Sequence, residues 1–119
     1  MRYTFLLYSK ESDFADVAPE DMGEQLAVYG KYIQALKDAG VFIDTDWLQP
    51  TMTATTVTLR GGTKQVQDGP FAETKEQFGG YFVVDVPDLD AALAWAEKCP
   101  NVHYGLVEVR ASAMPDGQK

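Results

Sequence analysis

Residues 80–100 read GYFVVDVPDLDAALAWAEKCP, and they indicate an α+β fold because a strand pattern passes directly into a capped helix. Residues 80–86 alternate as in a β-strand. A helix through residue 98 is predicted to follow, because Asp88 is a typical N-cap and Pro100 a terminator. The faces expected to be buried carry Phe82, Val84 and Val86 on the strand, and Leu89, Ala92, Leu93 and Ala96 on the helix.

A similar strand and helix open the chain. Residues 2–8, RYTFLLY, are apolar on both alternating faces, which is typical of a central strand. A helix is predicted from residue 19 to residue 39 with Gly40 as its stop, followed by a strand over residues 41–48. The helical period comes from an apolar stripe formed by Met22, Leu26, Tyr29, Ile33 and Leu36.

A β-hairpin is predicted between these two halves, in residues 55–68. Two strand-like runs flank Gly61-Gly62, a pair that permits the positive φ angles of a type I′ turn. A two-residue loop sets the register, so Val57 is expected opposite Val66. Asp68 is then expected at the open end of the hairpin, beside this apolar pair.

The last predicted strand covers residues 104–110, and residues 111–119 are expected to form a frayed tail. The order strand, helix, strand, hairpin, strand, helix, strand predicts a single α+β domain over residues 1–119. Its plan is a ferredoxin-like βαββαβ sandwich with an inserted β-hairpin. Both helices are expected on one sheet face, because the crossovers are right-handed.

The other sheet face should be mixed in character. If Phe82, Val84, Val107 and Val109 face the helices, the opposite face is lined by Tyr81, Val83, Asp85, Leu106, Glu108 and Arg110. Such a face is too apolar for open water and too charged for a dry core. A homodimer that covers the face and encloses a small-molecule pocket is therefore expected.

Composition excludes several classes of protein. Ten Lys and Arg against 18 Asp and Glu give a net charge of −8, so neither nucleic-acid nor membrane binding is expected. No signal-peptide pattern or apolar stretch near the ~20 residues of a bilayer span occurs. The single cysteine, Cys99, excludes an intramolecular disulfide, fits a reducing cytoplasm and is a poor nucleophile candidate at a helix end. One histidine and one cysteine form no metal-ligand cluster, so no metal or cofactor is expected.

Several short motifs occur together along the chain. They are DGPF at 68–71, AETKE at 72–76, GGY at 79–81, VPDLD at 86–90, AEKCP at 96–100 and VEVR at 107–110. With these motifs the chain resembles the DGPF branch of the YCII-related proteins over nearly its whole length. The resemblance implies a ferredoxin-like fold assembled as a dimeric α/β barrel. It also implies a bacterial protein of undetermined biochemical function, often encoded beside or fused to an extracytoplasmic-function sigma factor.

Better-studied members of the YCII branch carry a proposed His and Asp pair. The first predicted helix of this chain has no histidine, and the single one, His103, lies just before the last strand. A His-Asp acid-base mechanism is therefore not carried over.

Asp68 is the leading candidate for chemistry. A carboxylate beside apolar residues can have a raised pKa and act as a general acid or base. The alternative is an Asx turn, in which the carboxylate accepts backbone N–H bonds around Gly69. Phe71 is expected to be a core plug rather than a ligand-stacking group.

Five further residues are candidate ligand contacts. Glu73 and Lys75 either rim the pocket or belong to a solvated turn. Tyr3 and Tyr81 lie on central strands, where core packing competes with a ligand role. His103 can titrate near neutrality, but a lone loop histidine is more often exposed without a function.

Two functions remain open from the sequence. The first is a dimer that binds a small organic ligand near the DGPF loop, with acid-base catalysis if any chemistry occurs. The second is a non-catalytic sensor or accessory module linked to a sigma factor.

Overall fold

The computed structural model describes residues 1–13 and 19–114. Within them, six strands and two α-helices follow one another, joined in places by short 3₁₀ turns. The elements are β1 (Arg2–Ser9), α1 (Pro19–Asp38), β2 (Phe42–Trp47), β3 (Thr55–Thr58), β4 (Gln65–Asp68), β5 (Gln77–Asp85), α2 (Leu89–Glu97) and β6 (Leu106–Ala111). Neither helix is long and apolar enough to cross a membrane.

The strands form two separate sheets. The larger has the order β2-β5-β1-β6, with every neighbouring pair antiparallel, and the smaller is the hairpin of β3 and β4. Both sheets are open, and no closed barrel exists within residues 1–13 and 19–114. The predicted α+β class is confirmed.

The core lies between the larger sheet and the two helices. β1 is a central strand as predicted, and Phe5 lies opposite Phe82 of β5. Both rings are fully buried. The rest of the core comprises Tyr3, Leu7, Tyr29, Tyr32, Leu36, Val84, Val86, Ala92, Ala96 and Cys99, with Val107 and Val109 packed against it. Since both helices contribute to one cluster, they cover the same sheet face.

The helix predicted from residue 19 is confirmed as α1, but its apolar stripe is buried only in the second half. Met22 and Leu26 are about half exposed, whereas Tyr29, Tyr32 and Leu36 are buried. A cavity separates the beginning of α1 from the sheet, and Met22 lines it instead of packing into the core. The helical period was correct, but it cannot show how far along the helix the sheet extends.

The stripe of α2 needs a similar correction. Ala92 and Ala96 are buried as expected, but Leu89 and Leu93 are about half exposed. The small alanine side chains face the sheet, and the larger leucines lie at the flank. The Asp88 cap is confirmed, because its carboxylate accepts a hydrogen bond of 2.9 Å from the Ala91 N–H.

The hairpin register is confirmed. Val57 lies opposite Val66 and Thr55 opposite Asp68. Gly61 and Gly62 have φ angles of +66° and +80°, which L side chains rarely adopt. The glycine pair therefore determines where the chain reverses.

Two strand ends differ from the sequence prediction. β5 begins at Gln77, before the predicted residue 80, and a bulge interrupts its pairing with β1. β6 begins at Leu106 and includes Ala111, and the Ser112 N–H donates to the Arg2 carbonyl at 2.8 Å. Residues 111 and 112 are thus not a frayed tail, while residues 115–119 lie outside the described part.

Cys99 follows α2 and is fully buried, and this burial raises the pKa of its thiol to about 11 from 9.0. We expect iodoacetamide at pH 8 to label the folded protein about 100-fold more slowly than the urea-unfolded chain, because the reactive thiolate is that much rarer. Because the pKa is raised on folding, the associated stability is present below pH 9 and is lost as the pH rises towards 11. Equal labelling rates would contradict the buried position.

Candidate functional site

A cavity of about 620 Å³ lies between the first half of α1 and one end of the larger sheet. Its walls are mostly apolar, and polar side chains line it near Glu11 and near Asn101. The lining residues are Leu7, Ser9, Glu11, Ser12, Met22, Gln25, Tyr29, Trp47, Leu48, Pro50, Met52, Gly79, Asn101 and Tyr104. Its size and lining are typical of a small-molecule site.

The floor of the cavity depends on the two glycines of β5. The β1 pairing passes from Leu7 opposite Gly80 to Tyr8 opposite Phe78, so Gly79 is the extra residue of a bulge. A Cβ on Gly80 would lie 2.8 Å from the Asp46 carbonyl oxygen, whereas a Cβ on Gly79 would have no atom within 4 Å. Gly80 allows β2 to approach closely, and Gly79 leaves open space in the cavity.

One wall is held by a carboxylate. The two oxygens of Glu11 accept hydrogen bonds from the N–H and the hydroxyl of Thr51, at 2.8 and 2.9 Å. The Glu11 N–H also donates to the Gln77 side-chain oxygen at 2.9 Å. These bonds fix the segment after β1 to the segment after β2 and place one negative charge in the lining.

At the polar end of the cavity, hydrogen bonds link three side chains in a row: Asn101, Tyr29 and Tyr104. Asn101 is buried, and its amide nitrogen donates to the carbonyls of Tyr8 and Leu106 at 3.0 and 2.8 Å. Its oxygen is then the acceptor for the Tyr29 hydroxyl, at 3.5 Å. The Tyr29 and Tyr104 hydroxyls also share a short hydrogen bond, in which either hydroxyl can be the donor.

Both phenols are kept protonated. Burial raises the pKa of Tyr29 far above its usual range, and the hydrogen bond with Tyr104 is the second cause of this shift. Burial also raises the pKa of Tyr104, although the hydrogen bond with Tyr29 acts in the opposite direction. At neutral pH this end of the cavity offers neutral hydroxyl groups rather than a phenolate base.

Asp68 lies at the end of β4 with an exposed side chain, and it is not among the lining residues. Within residues 1–13 and 19–114 no hydrogen bond reaches its carboxylate. The Gly69 N–H instead donates to the Ala54 carbonyl at 2.6 Å, which continues the hairpin pairing. The structure thus does not form the expected Asx turn, and a catalytic role for Asp68 stays a prediction.

The predicted ligand contacts do not converge. Glu73 and Lys75 are exposed in the loop before β5. Tyr3 is buried on the helix-facing side of the sheet, whereas the Tyr81 hydroxyl lies on the other face and donates to the Asp44 carboxylate at 3.1 Å. That hydrogen bond is the main cause of a raised pKa for Tyr81.

His103 is exposed at the end of the 3₁₀ turn that precedes β6. It lines a smaller hollow of about 380 Å³ between α1 and the 3₁₀ turn, together with Asp21, Glu24, Gln25, Val28, Tyr29, Pro100 and Tyr104. Among the residues that the structure describes, no group of three or more His, Cys, Asp or Glu side chains could hold a metal ion.

The exposure of Phe71 contradicts the sequence prediction. It was expected to plug the core, but 76% of its surface is exposed. The preceding Gly69 has a φ angle of +100°, so the DGPF segment turns at the end of β4. This turn leaves the phenylalanine ring outside the chain's own core.

Four of the cavity residues were not predicted from the sequence: Glu11, Trp47, Asn101 and Tyr104. Tyr29 was predicted only as part of the apolar stripe of the first helix. One feature of the sequence that could have indicated the cavity was the Gly79-Gly80 pair, because two strand residues without side chains leave space beside the sheet. Tyr29 was a second signal, since a phenol in an otherwise apolar helical stripe needs a hydrogen-bond partner. Nothing in the local sequence around Asn101 distinguishes it from an ordinary exposed loop residue.

Comparison with known proteins gives two matches. The family model of the YCII-related domain matches residues 1–112. The chain is also similar to an uncharacterised protein of Rhizobium meliloti, with 38% identity over 96% of this chain and 94% of that protein.

Proposed function

This chain belongs to the family of YCII-related domain proteins, and we propose that its cavity binds a small, largely apolar organic molecule that carries one neutral polar group. The observation that supports this function is the combination of an apolar cavity of about 620 Å³ with hydroxyl and amide groups at one end. Ligand pockets in proteins commonly combine apolar walls with a few placed polar groups.

The walls favour an aromatic or aliphatic body. The Trp47 ring meets Tyr29 edge-to-face, with ring centroids 4.8 Å apart, and forms one side of the cavity. Met22 and Met52 line it as well, and thioethers adapt to irregular apolar shapes. An apolar ring or chain would cover all three side chains.

The charge in the lining disfavours an anion. Glu11 contributes a carboxylate to the wall, and the two phenols at the polar end stay neutral. A ligand carboxylate or sulfonate would lose hydration and meet a like charge. A hydroxyl, carbonyl or amide group fits the Tyr29, Tyr104 and Asn101 end without that cost.

The test uses N-phenyl-1-naphthylamine, a neutral apolar fluorophore, with Gly79→Leu. We expect the wild-type protein to bind the probe and the variant to bind it at least about tenfold more weakly, which corresponds to about 1.4 kcal/mol. Gly79 lines the cavity and a Cβ there has no atom within 4 Å, so an added leucine side chain has room to take up space at the cavity wall. The measurement is a fluorescence titration.

Gly30→Leu is the matched control, because it adds the same side chain on the exposed side of α1, where a Cβ also has no neighbour within 4 Å. It should leave probe binding unchanged. The sulfonated analogue 1-anilinonaphthalene-8-sulfonate should bind the wild-type protein more weakly than the neutral probe. Equal binding by the wild-type protein and Gly79→Leu would overturn the proposal.

The polar end favours binding without catalysis. Its phenols have raised pKa values, and the Glu11 oxygens already accept two hydrogen bonds from Thr51. Neither phenol is therefore a base at neutral pH. A sensor function therefore has more support than acid-base catalysis by Asp68, which stays a prediction, as does a link with an extracytoplasmic-function sigma factor.

We also infer the finer assembly expected from the sequence. The strand order β2-β5-β1-β6 with both helices on one face supports a ferredoxin-like unit. The half-buried Tyr81 and Val83 and the exposed Leu106 on the other face support a second copy stacked there as a dimeric α/β barrel. A cytoplasmic location and membership of the DGPF branch stay predictions as well.

A further inference from the structure

The β3–β4 hairpin is a sheet of its own, separate from the larger sheet. Val57, Leu59 and Val66 are 57–66% exposed on it. An isolated two-stranded hairpin is at best marginally stable in water. The hairpin valines therefore need to pack against another surface, and the described residues 1–13 and 19–114 do not supply one.

The dimensions of the chain agree with a projecting hairpin. The radius of gyration is 16.3 Å, and the extents are 46 × 42 × 19 Å. A compact domain of this length has a radius of gyration of about 13–14 Å. The chain is flat and extended, so the hairpin can reach a neighbouring molecule.

The mouth of the cavity is also uncovered. Met22, Trp47 and Leu48 are each 41–49% exposed there, and Met52 is 81% exposed. An apolar rim of this kind favours contact with another apolar surface. The hairpin valines and the cavity mouth are thus two uncovered apolar surfaces of the same chain.

The charges of these two surfaces are opposite. The hairpin tip carries Arg60 and Lys64, both exposed, on either side of the glycine turn. The segments that line the cavity mouth carry four described carboxylates against one lysine, Lys10; the carboxylates are Glu11 and Asp13 after β1, and Asp21 and Glu24 of α1, which face the adjoining smaller hollow. In a chain with a net charge of −8, a basic hairpin tip is a distinctive feature that complements an acidic rim.

We propose that the hairpin of a second copy of this chain covers the cavity mouth, with Arg60 and Lys64 facing the carboxylates of the rim. A two-fold axis lets each copy cover the other in the same way, so both hairpins and both cavities are covered. The chain's own hairpin leaves its apolar residues exposed, which favours the second copy as the occupant. This inference rests on the proposed function, because it treats the covered cavity as a ligand site.

The first test is a disulfide between copies. Lys64→Cys protein is mixed with a larger, tagged Glu24→Cys protein under mild oxidation. We expect a mixed disulfide-linked dimer on a non-reducing gel, because the tip and the rim meet. Tagged Asp90→Cys, at an exposed position in the first turn of α2, is the control and should give little product. Equal yields from the two tagged proteins would overturn the proposal.

The second test is charge reversal. Arg60→Glu combined with Lys64→Glu should weaken self-association in sedimentation velocity at least about tenfold, since several opposite charges become like charges. Lys31→Glu combined with Lys98→Glu changes the net charge equally and should have a much smaller effect. Asp21→Lys with Glu24→Lys should restore association to the reversed hairpin. Association unchanged by the hairpin reversal would contradict the interface.

The two proposals fail separately. If the cross-link does not form but N-phenyl-1-naphthylamine still binds in a way that Gly79→Leu blocks, the hairpin interface is wrong and the ligand cavity stands. If the cross-link forms specifically but the probe does not bind, the interface stands and the proposed function is wrong. If both hold, hairpin reversal should also weaken probe binding, because the mouth is then uncovered.

Discussion

Replacing Phe82 with alanine is expected to lower the free energy of unfolding by about 3–5 kcal/mol, the usual cost of removing a buried aromatic ring. Phe82 is fully buried at the centre of the helix-facing side of the sheet. Its ring lies 5.1 Å from the Tyr32 ring, edge-to-face, and opposite Phe5 on the neighbouring strand. Tyr32 belongs to α1 and Phe5 to β1, so neither ring can move far enough to fill the space that the Phe82 ring leaves.

The measurement is urea denaturation at equal protein concentration, and Phe71→Ala is the control. Both substitutions remove the same ring, but 76% of the Phe71 surface is exposed. Phe71→Ala should therefore change the free energy of unfolding by less than about 0.5 kcal/mol. Equal losses for the two variants would mean that Phe71 is buried in the assembled protein, as the sequence analysis expected.

Replacing Asn101 with alanine is expected to cost about 2–3 kcal/mol, because two part-buried carbonyl groups lose their donor. The amide nitrogen of Asn101 bridges Tyr8 at the end of β1 and Leu106 at the start of β6. Asn101→Asp should be similarly destabilising, since it keeps an acceptor for Tyr29 but replaces the donor. Thermal and urea unfolding both report this loss.

Gln34→Ala is the matched control for Asn101. The Gln34 amide also donates a hydrogen bond, to Asp38 at 2.8 Å, but it does so on the exposed surface of α1. Its removal should change stability by less than about 0.5 kcal/mol. If Asn101→Ala costs no more than this control, water replaces the amide, and Asn101 does not hold the polar end of the cavity together.

Features set by neighbouring residues were predictable from the sequence. The hairpin register followed from Gly61-Gly62, because two positive φ angles in succession require a specific turn. The start of α2 followed from Asp88, whose carboxylate accepts a backbone N–H of the first turn. The order of elements and the helix-facing side of β5 followed from periodicity.

The site was less predictable because its residues come together only through packing. Tyr29, Trp47 and Asn101 come from three segments that are far apart in the sequence. The DGPF motif attracted the site prediction, yet Asp68 and Phe71 lie outside the cavity lining. Motif chemistry describes a local turn well, but it does not show which surface that turn faces.

The α+β class, the hairpin register and the family could be predicted from the sequence, since each depends on local chemistry or on motifs that can be read along the chain. The separation of α1 from the sheet at Met22, the exposure of Phe71 and the hydrogen bond between Asn101 and Tyr29 became visible only in the folded chain. Periodicity identifies which face of a helix is apolar. Burial of that face depends on the length and placement of the neighbouring sheet, which the local sequence does not specify.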